Sequence, residues 1–233
     1  MFVASFSLER LYVNTTDVGV EFDRQIRTLA DKGYPARAGL SEADFRGLFE
    51  PLREPVLEYM SSRTPPAPSE ARVPFLLVVT RALVPIEESV SLTSLAGKTE
   101  PGVVERFYKP GELERFVSRK DLLLPEGGAY VVFDVERGEE FCGVVPLDAM
   151  ATVAARGRTG LTMEEGIALV TQFPRALAKN KCFSLAGTRL GDKDKRVPAL
   201  WISKGAPKLG WCWEGNPHTW LGLASAGGRT GAA

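Results

Sequence analysis

Between Cys182 and Ser225 the chain passes through four short runs rich in β-branched and aromatic residues, CFSLAGTR, VPALWIS, KLGWCWE and TWLGLAS, separated by GDKDK, KGAP and GNPH. Each separator carries Gly, Pro, Asn or Asp, which supply the backbone conformations of tight turns. This alternation predicts an antiparallel β-meander at the C-terminal end of the protein. Because strand side chains alternate, Leu209, Trp211 and Trp213 share one face, with Gly210, Cys212 and Glu214 on the other.

The beginning of the chain has a different period. Val18, Phe22, Ile26 and Leu29 recur at helical spacing and Gly33 stands where a left-handed cap would end that helix. Ser41 with Asp44 resembles a capping box that opens a second helix through Phe45, Leu48 and Phe49, and Pro51 and Pro55 are expected to interrupt the chain beyond it. Pro65, Pro66 and Pro68 then mark an extended surface segment. The expected division, within one compact unit, is a helical segment over 1–63, a proline-rich linker or surface loop over 64–74, and an α+β main domain over 75–233. The fold class is α+β: N-terminal helices, a mixed region, then the meander.

Within the mixed region FLLVV, from Phe75, and AYVVFDVE, from Ala129, are expected strands. EFCGVV is expected to pair with the latter through a turn at Arg137-Gly138, and a short helix is expected over 112–117. Pro146 suits the first turn of a helix running to about Ala155. Thr162 and Glu165 make a second capping box, for a helix that Pro174 ends or bends. The glycine-rich ending SAGGRTG is expected to be a flexible tail.

Charge narrows the function classes. The formal net charge is zero, but residues 151–233 hold 12 Lys and Arg against 5 Asp and Glu, and residues 1–150 hold 17 against 24. The basic half suits a small anionic partner, or complements the acidic half across an internal contact; it falls short of a nucleic-acid footprint. VPFLLVVT, residues 73–80, is too short to span a membrane. MFVASFSLER meets Glu9 and Arg10 too early for a secretory signal, so a cytoplasmic protein is expected. Cys142, Cys182 and Cys212 are odd in number and widely spaced, which suits reduced thiols and neither a disulfide framework nor a metal site. Asp192 and Asp194 alternate with lysines and read as a solvated turn.

The richest stretch is LGWCWEGNPHTWLGL, residues 209–223, with three of the four tryptophans and the only histidine. Trp201, Trp211, Trp213 and Trp220 are candidate walls of a ligand pocket, with Glu214, Asn216 and His218 as polar anchors and Arg189, Lys204 and Lys208 favouring an anion. The same indoles also suit a core between sheet and helices. A hydrolase or transferase with His218 as general base and Glu214 as its partner is the alternative, though no nucleophile motif accompanies them. A third alternative is a protein-binding role for the N-terminal helices. Nothing in the sequence names a cofactor.

The runs ERGEEFCGVVP, GLTMEEGIALVTQFP, NKCFSLAG and RVPALWISKGAPKLGWCWEGNPHTWLGLASAGGR resemble those of a family of bacterial proteins catalogued as a domain of unknown function, over about Phe22 to Arg229. The resemblance implies a bacterial cytoplasmic protein and carries no activity, ligand or catalytic residue with it.

Overall fold

A computed structural model describes residues 15–63, 68–191 and 193–232; the expectations for the first fourteen residues, for Pro65 and Pro66, and for Asp192 lie outside the described residues. Ahead of the proline-rich segment the chain forms α1 (Thr15–Asp31), α2 (Tyr34–Ala38), α3 (Glu42–Gly47) and α4 (Glu50–Ser61). The four apolar residues spaced along α1 are all buried. Gly33, at φ 89°, turns the chain after it and donates its N–H to the Ala30 carbonyl at 2.9 Å. The Ser41 hydroxyl accepts the Asp44 amide at 3.1 Å and caps α3. Contrary to expectation, α4 runs through both Pro51 and Pro55. Pro51 occupies the first turn, where an N–H has no helical partner anyway. The bond lost at Pro55 is offset by burial of Leu52, Val56 and Met60 on one face.

The first sheet has the order β1 (Arg72–Val79), β4 (Ala129–Glu136), β11 (Ser225–Ala226), β5 (Thr159–Gly160), and β12 (Gly228–Thr230) also pairs with β4. Alternation divides its two faces. Phe75, Leu77, Val79, Val131 and Phe133 join the buried residues of α1 to α4 in one cluster. Leu76, Val78, Tyr130 and Val132 face the other way, into a core shared with α7 (Met163–Gln172) and the second sheet. The helices before the proline-rich segment therefore share their core with the strands after it.

β1 is an edge strand, and its outer side is closed by a side chain. Gln25 of α1, fully buried, donates from Nε2 to the Phe75 carbonyl at 3.1 Å and accepts the Leu77 amide on Oε1 at 2.8 Å. A single amide thus stands in for one residue of a neighbouring strand.

The second sheet has the order β10 (Leu221–Leu223), β6 (Cys182–Ser184), β8 (Arg196–Ser203), β9 (Ala206–Trp213), β2 (Val103–Val104). The antiparallel meander is made by β6, β8 and β9. The fourth run departs from it: β10 crosses to the far edge and lies parallel to β6, because the outer edge of β9 is already taken by β2. Two further expectations are corrected. EFCGVV is no strand; Glu139–Phe141 form a single 3-10 turn that carries Phe141 onto Val197 and Leu223. Gly138 starts that turn at φ 73°, and a Cβ there would lie 2.0 Å from the Leu223 carbonyl oxygen. The glycine-rich ending is no loose tail, since it supplies β11 and β12 and anchors Arg229 on Glu165, Nη2 to Oε2 at 2.8 Å.

α6 (Pro146–Ala155) begins at the expected proline, and α7 opens with the expected capping box, the Thr162 amide donating to Glu165 at 2.8 Å and the Glu165 amide to Thr162 Oγ1 at 3.3 Å. The helix expected over 112–117 is one 3-10 turn, Leu113–Arg115, followed by β3 (Val117–Ser118), which pairs with β7 (Thr188–Arg189). A further short helix, α5 (Ile86–Ser91), completes the set. Among the described residues no helix is long and apolar enough to cross a membrane.

Candidate functional site

The four tryptophans fall on two faces of the second sheet. Trp201 pairs across β8 and β9 with Lys208, so it shares a face with Gly210 and Cys212, while Trp211 and Trp213 stand on the opposite side. Trp201 lies across Gly210, where a Cβ would meet its Cη2 at 2.1 Å. Its neighbour is Trp220, with ring centroids 6.4 Å apart, and Trp220 in turn lies 5.3 Å from the His218 ring. On the other face Trp211 and Trp213 meet edge to face at 5.0 Å, and the Arg196 guanidinium lies between the rings of Trp211 and Phe116, 5.2 Å from each. Arg196 also bridges Glu112 at 2.9 Å and Asp194 at 2.7 Å. The Trp211 indole N–H is buried and has no hydrogen-bond partner among the described residues. Of five cavities of about 320–420 Å³, none is lined by a tryptophan.

The remaining expected anchors separate as well. Asn216 is exposed in the turn after β9. Lys208 is bound by Glu105 at 2.9 Å, which holds that carboxyl below its ordinary pKa; with Lys204, at the hairpin tip, it borders an open cavity of about 350 Å³ beside Phe107. The backbone carbonyl of His218 accepts Gly143 and Leu221 amides at 2.9 and 3.2 Å. Among the described residues its imidazole makes no ion pair, since the Glu214 carboxylate is directed at Arg189 and Lys195, 4.0 Å from each. The structure therefore brings Arg189 and Glu214 together, and among the described residues no ion pair joins His218 to Glu214.

Arg189 leads to the largest of the five cavities, about 420 Å³, between α6, β5 and the chain beyond β3. Pairing of β3 with β7 sets Val117 opposite Arg189, and the Arg119 amide donates to Gly187 at 2.9 Å; Arg119 lines the cavity, whereas Arg189 is no part of the lining and reaches it through Met150, 2.9 Å away. The floor depends on two glycines. A Cβ on Gly187 would lie 2.4 Å from the Gly160 carbonyl oxygen, and one on Gly160 would lie 2.9 Å from Ala186. The start of α6 is tied to the end of β9 by the Leu147 amide, which donates to the Glu214 carbonyl at 3.1 Å.

Three arginines serve this region in different ways. Arg158 is occupied internally: it donates to Ser225 Oγ at 3.0 Å, to the Asp134 carbonyl at 2.6 Å and to the Asp134 carboxylate. Arg119 lines the cavity and binds Asp121 bidentately at 2.9 and 2.8 Å. Arg189, only 8% exposed, has the Thr188 carbonyl at 3.3 Å and the thioether of Met150 at 2.9 Å. Met150 itself lines the cavity. Burial lowers the Arg189 pKa to about 10, and the neighbouring Arg119 charge acts in the same direction. It remains charged at neutral pH.

The cysteines are free, and burial pushes the Cys212 thiol up to about 11, away from nucleophilic use near neutrality. Among the described residues no group of three or more His, Cys, Asp or Glu is arranged to hold a metal ion. The sequence pattern singles out Arg189 and Glu214 and misses Arg119, Met150 and the glycine floor. Isolated residues from four distant segments form no local pattern, and the basic excess of the second half bears on Arg189 but not on Arg119.

Over residues 28–232 the sequence matches a family described as Family of unknown function (DUF5701), and the chain belongs to that family. No curated protein and no solved structure matches it.

Proposed function

We propose that this member of the family is a binding protein for a small anionic ligand, taken into the cavity beside α6 and held by Arg119 and Arg189. Arg189 carries the proposal. Its guanidinium is withdrawn from water, yet among the described residues its closest carboxylate, Glu214, stands at 4.0 Å, beyond hydrogen-bond reach, and the groups it donates to are a carbonyl and a thioether. A guanidinium buried without a matched anion is costly, by several kcal/mol in the general case, and an anion that completes it recovers part of that cost on binding. Three free thiols are consistent with a reducing compartment, and a cytoplasmic protein belongs to the same proposal. Catalysis through His218 draws less support, because its expected partner Glu214 faces Arg189 and Lys195, 4.0 Å from each.

Thermal unfolding with butyrate, hexanoate or inorganic phosphate, at matched ionic strength, tests the proposal. At least one anion should raise the Tm in a concentration-dependent way, and Arg189→Met should abolish the rise. A parent protein whose Tm ignores the whole panel would overturn it.

A further inference from the structure

We infer that the anion this cavity takes is a monoanion with an apolar body, an aliphatic or arylalkyl carboxylate, and not a phosphate ester or polyphosphate. The inference rests on the anion-binding proposal above and goes on to the ligand class.

The charge count at the site points to one negative charge. Arg158 is consumed by Asp134 and Ser225, and Arg119 is matched by Asp121. Asp121 and Asp148 stand on the cavity wall. Among the described residues Arg189 is left with Glu214 at 4.0 Å, a carboxylate it shares with Lys195. A second negative charge on the ligand would face Asp121 and Asp148 across a partly desolvated space.

The shape and lining point to the body. A cavity of about 420 Å³ is larger than a bare carboxylate or phosphate fills, and Leu122, Leu147, Met150, Ala151, Val153 and Leu223 give it an apolar side. Leu147 is 52% exposed, an unusual position for a large apolar side chain that an apolar ligand would cover. Met150 touches Arg189 from the cavity side through a thioether, a flexible group and a weak acceptor that a carboxylate oxygen outcompetes.

Calorimetric titration with linear carboxylates from butyrate to octanoate, with hexanol, with hexyl phosphate and with inorganic phosphate is the test. The Kd should fall by about fourfold per added methylene until the cavity is filled. Hexanoate should bind at least tenfold tighter than hexanol, hexyl phosphate or inorganic phosphate. Ala151 is exposed on α6, so Ala151→Phe places a ring in the cavity without disturbing the core. It should weaken octanoate tenfold or more and leave butyrate within twofold. Phosphate binding as tightly as hexanoate, or affinity independent of chain length, overturns this inference and leaves the anion proposal standing. The same chain-length gain in Arg189→Met, or octanoate binding untouched by Ala151→Phe, also overturns it by placing the body elsewhere. No binding of any anion to the parent removes both.

Discussion

Arg229 and Arg189 are withdrawn from water to a similar degree, their side chains 5% and 10% exposed, but they are partnered very differently. Arg229 binds both oxygens of Glu165, donates to Thr159 Oγ1 at 2.6 Å and to the Gly160 carbonyl at 3.2 Å. Glu165 in turn accepts the Tyr130 hydroxyl at 2.9 Å and the Thr162 amide at 2.8 Å. Burial acts to lower the Arg229 pKa, but hydrogen bonding to Glu165 and the charges of Glu165 and Tyr130 outweigh it, and the pKa rises. At Arg189 burial prevails over the opposing charges of Glu214, Asp194 and Asp121, because among the described residues no carboxylate is hydrogen-bonded to the guanidinium. A buried charge thus identifies a ligand site only when its partners fail to account for it.

The largest expected effect falls on the satisfied arginine. Arg229→Met leaves Glu165 buried without its cation and should cost about 3–5 kcal/mol in urea unfolding, with part recovered when Glu165→Gln is added. A loss below about 1 kcal/mol would break the contrast. Arg189→Met, by comparison, should change the stability of the free protein by between nothing and a gain of about 2 kcal/mol, because a poorly matched charge is replaced by an apolar chain. A loss as large as that of Arg229→Met would make Arg189 a structural arginine as well.

Arg196 sharpens the contrast through pH. Its hydrogen bonds lower the pKa values of Glu112 and Asp194 below the ordinary 4.5 and 3.8. Their folded pKa values lie below the unfolded ones, so the stability they contribute is present above those ordinary values and is lost as pH falls through the lowered ones. Urea midpoints measured from pH 6 down to pH 2 should therefore fall more steeply for the parent than for Arg196→Met; parallel curves would show that Arg196 is not engaged as described. The smallest effect belongs to Glu214→Gln. Removing the closest carboxylate to Arg189 should tighten anion binding about two- to fivefold while moving stability by no more than about 0.5 kcal/mol. Weaker binding would mean that Glu214 helps to hold the ligand.

Local features were legible in the sequence. The apolar period of α1, the Ser41 cap, the Thr162–Glu165 box, Pro146 at the start of α6 and the apolar run of β1 each depend on residues within one element. Pairings between distant segments were not. Glu165 was readable as a capping residue, but its second role, binding a cation 64 residues away, was not. Alternation correctly separated Trp211 and Trp213 from Gly210 and Cys212. It did not place Trp201, because its face depends on the register that sets it opposite Lys208. β10 looked like a fourth meander strand because nothing local reveals that β2, about a hundred residues earlier, occupies the edge it would have used. The cavity was the least legible part, since its arginines gain meaning only from the partners they meet or lack.

The amide of Gln25 that closes the outer side of β1 has a consequence in time. α1 ends at Asp31 and β1 begins at Arg72, so the ribosome delivers the guard about forty residues before the edge it guards. When β1 leaves the exit tunnel, the partner that its Phe75 carbonyl and Leu77 amide take in the folded protein is therefore already outside, on the same chain.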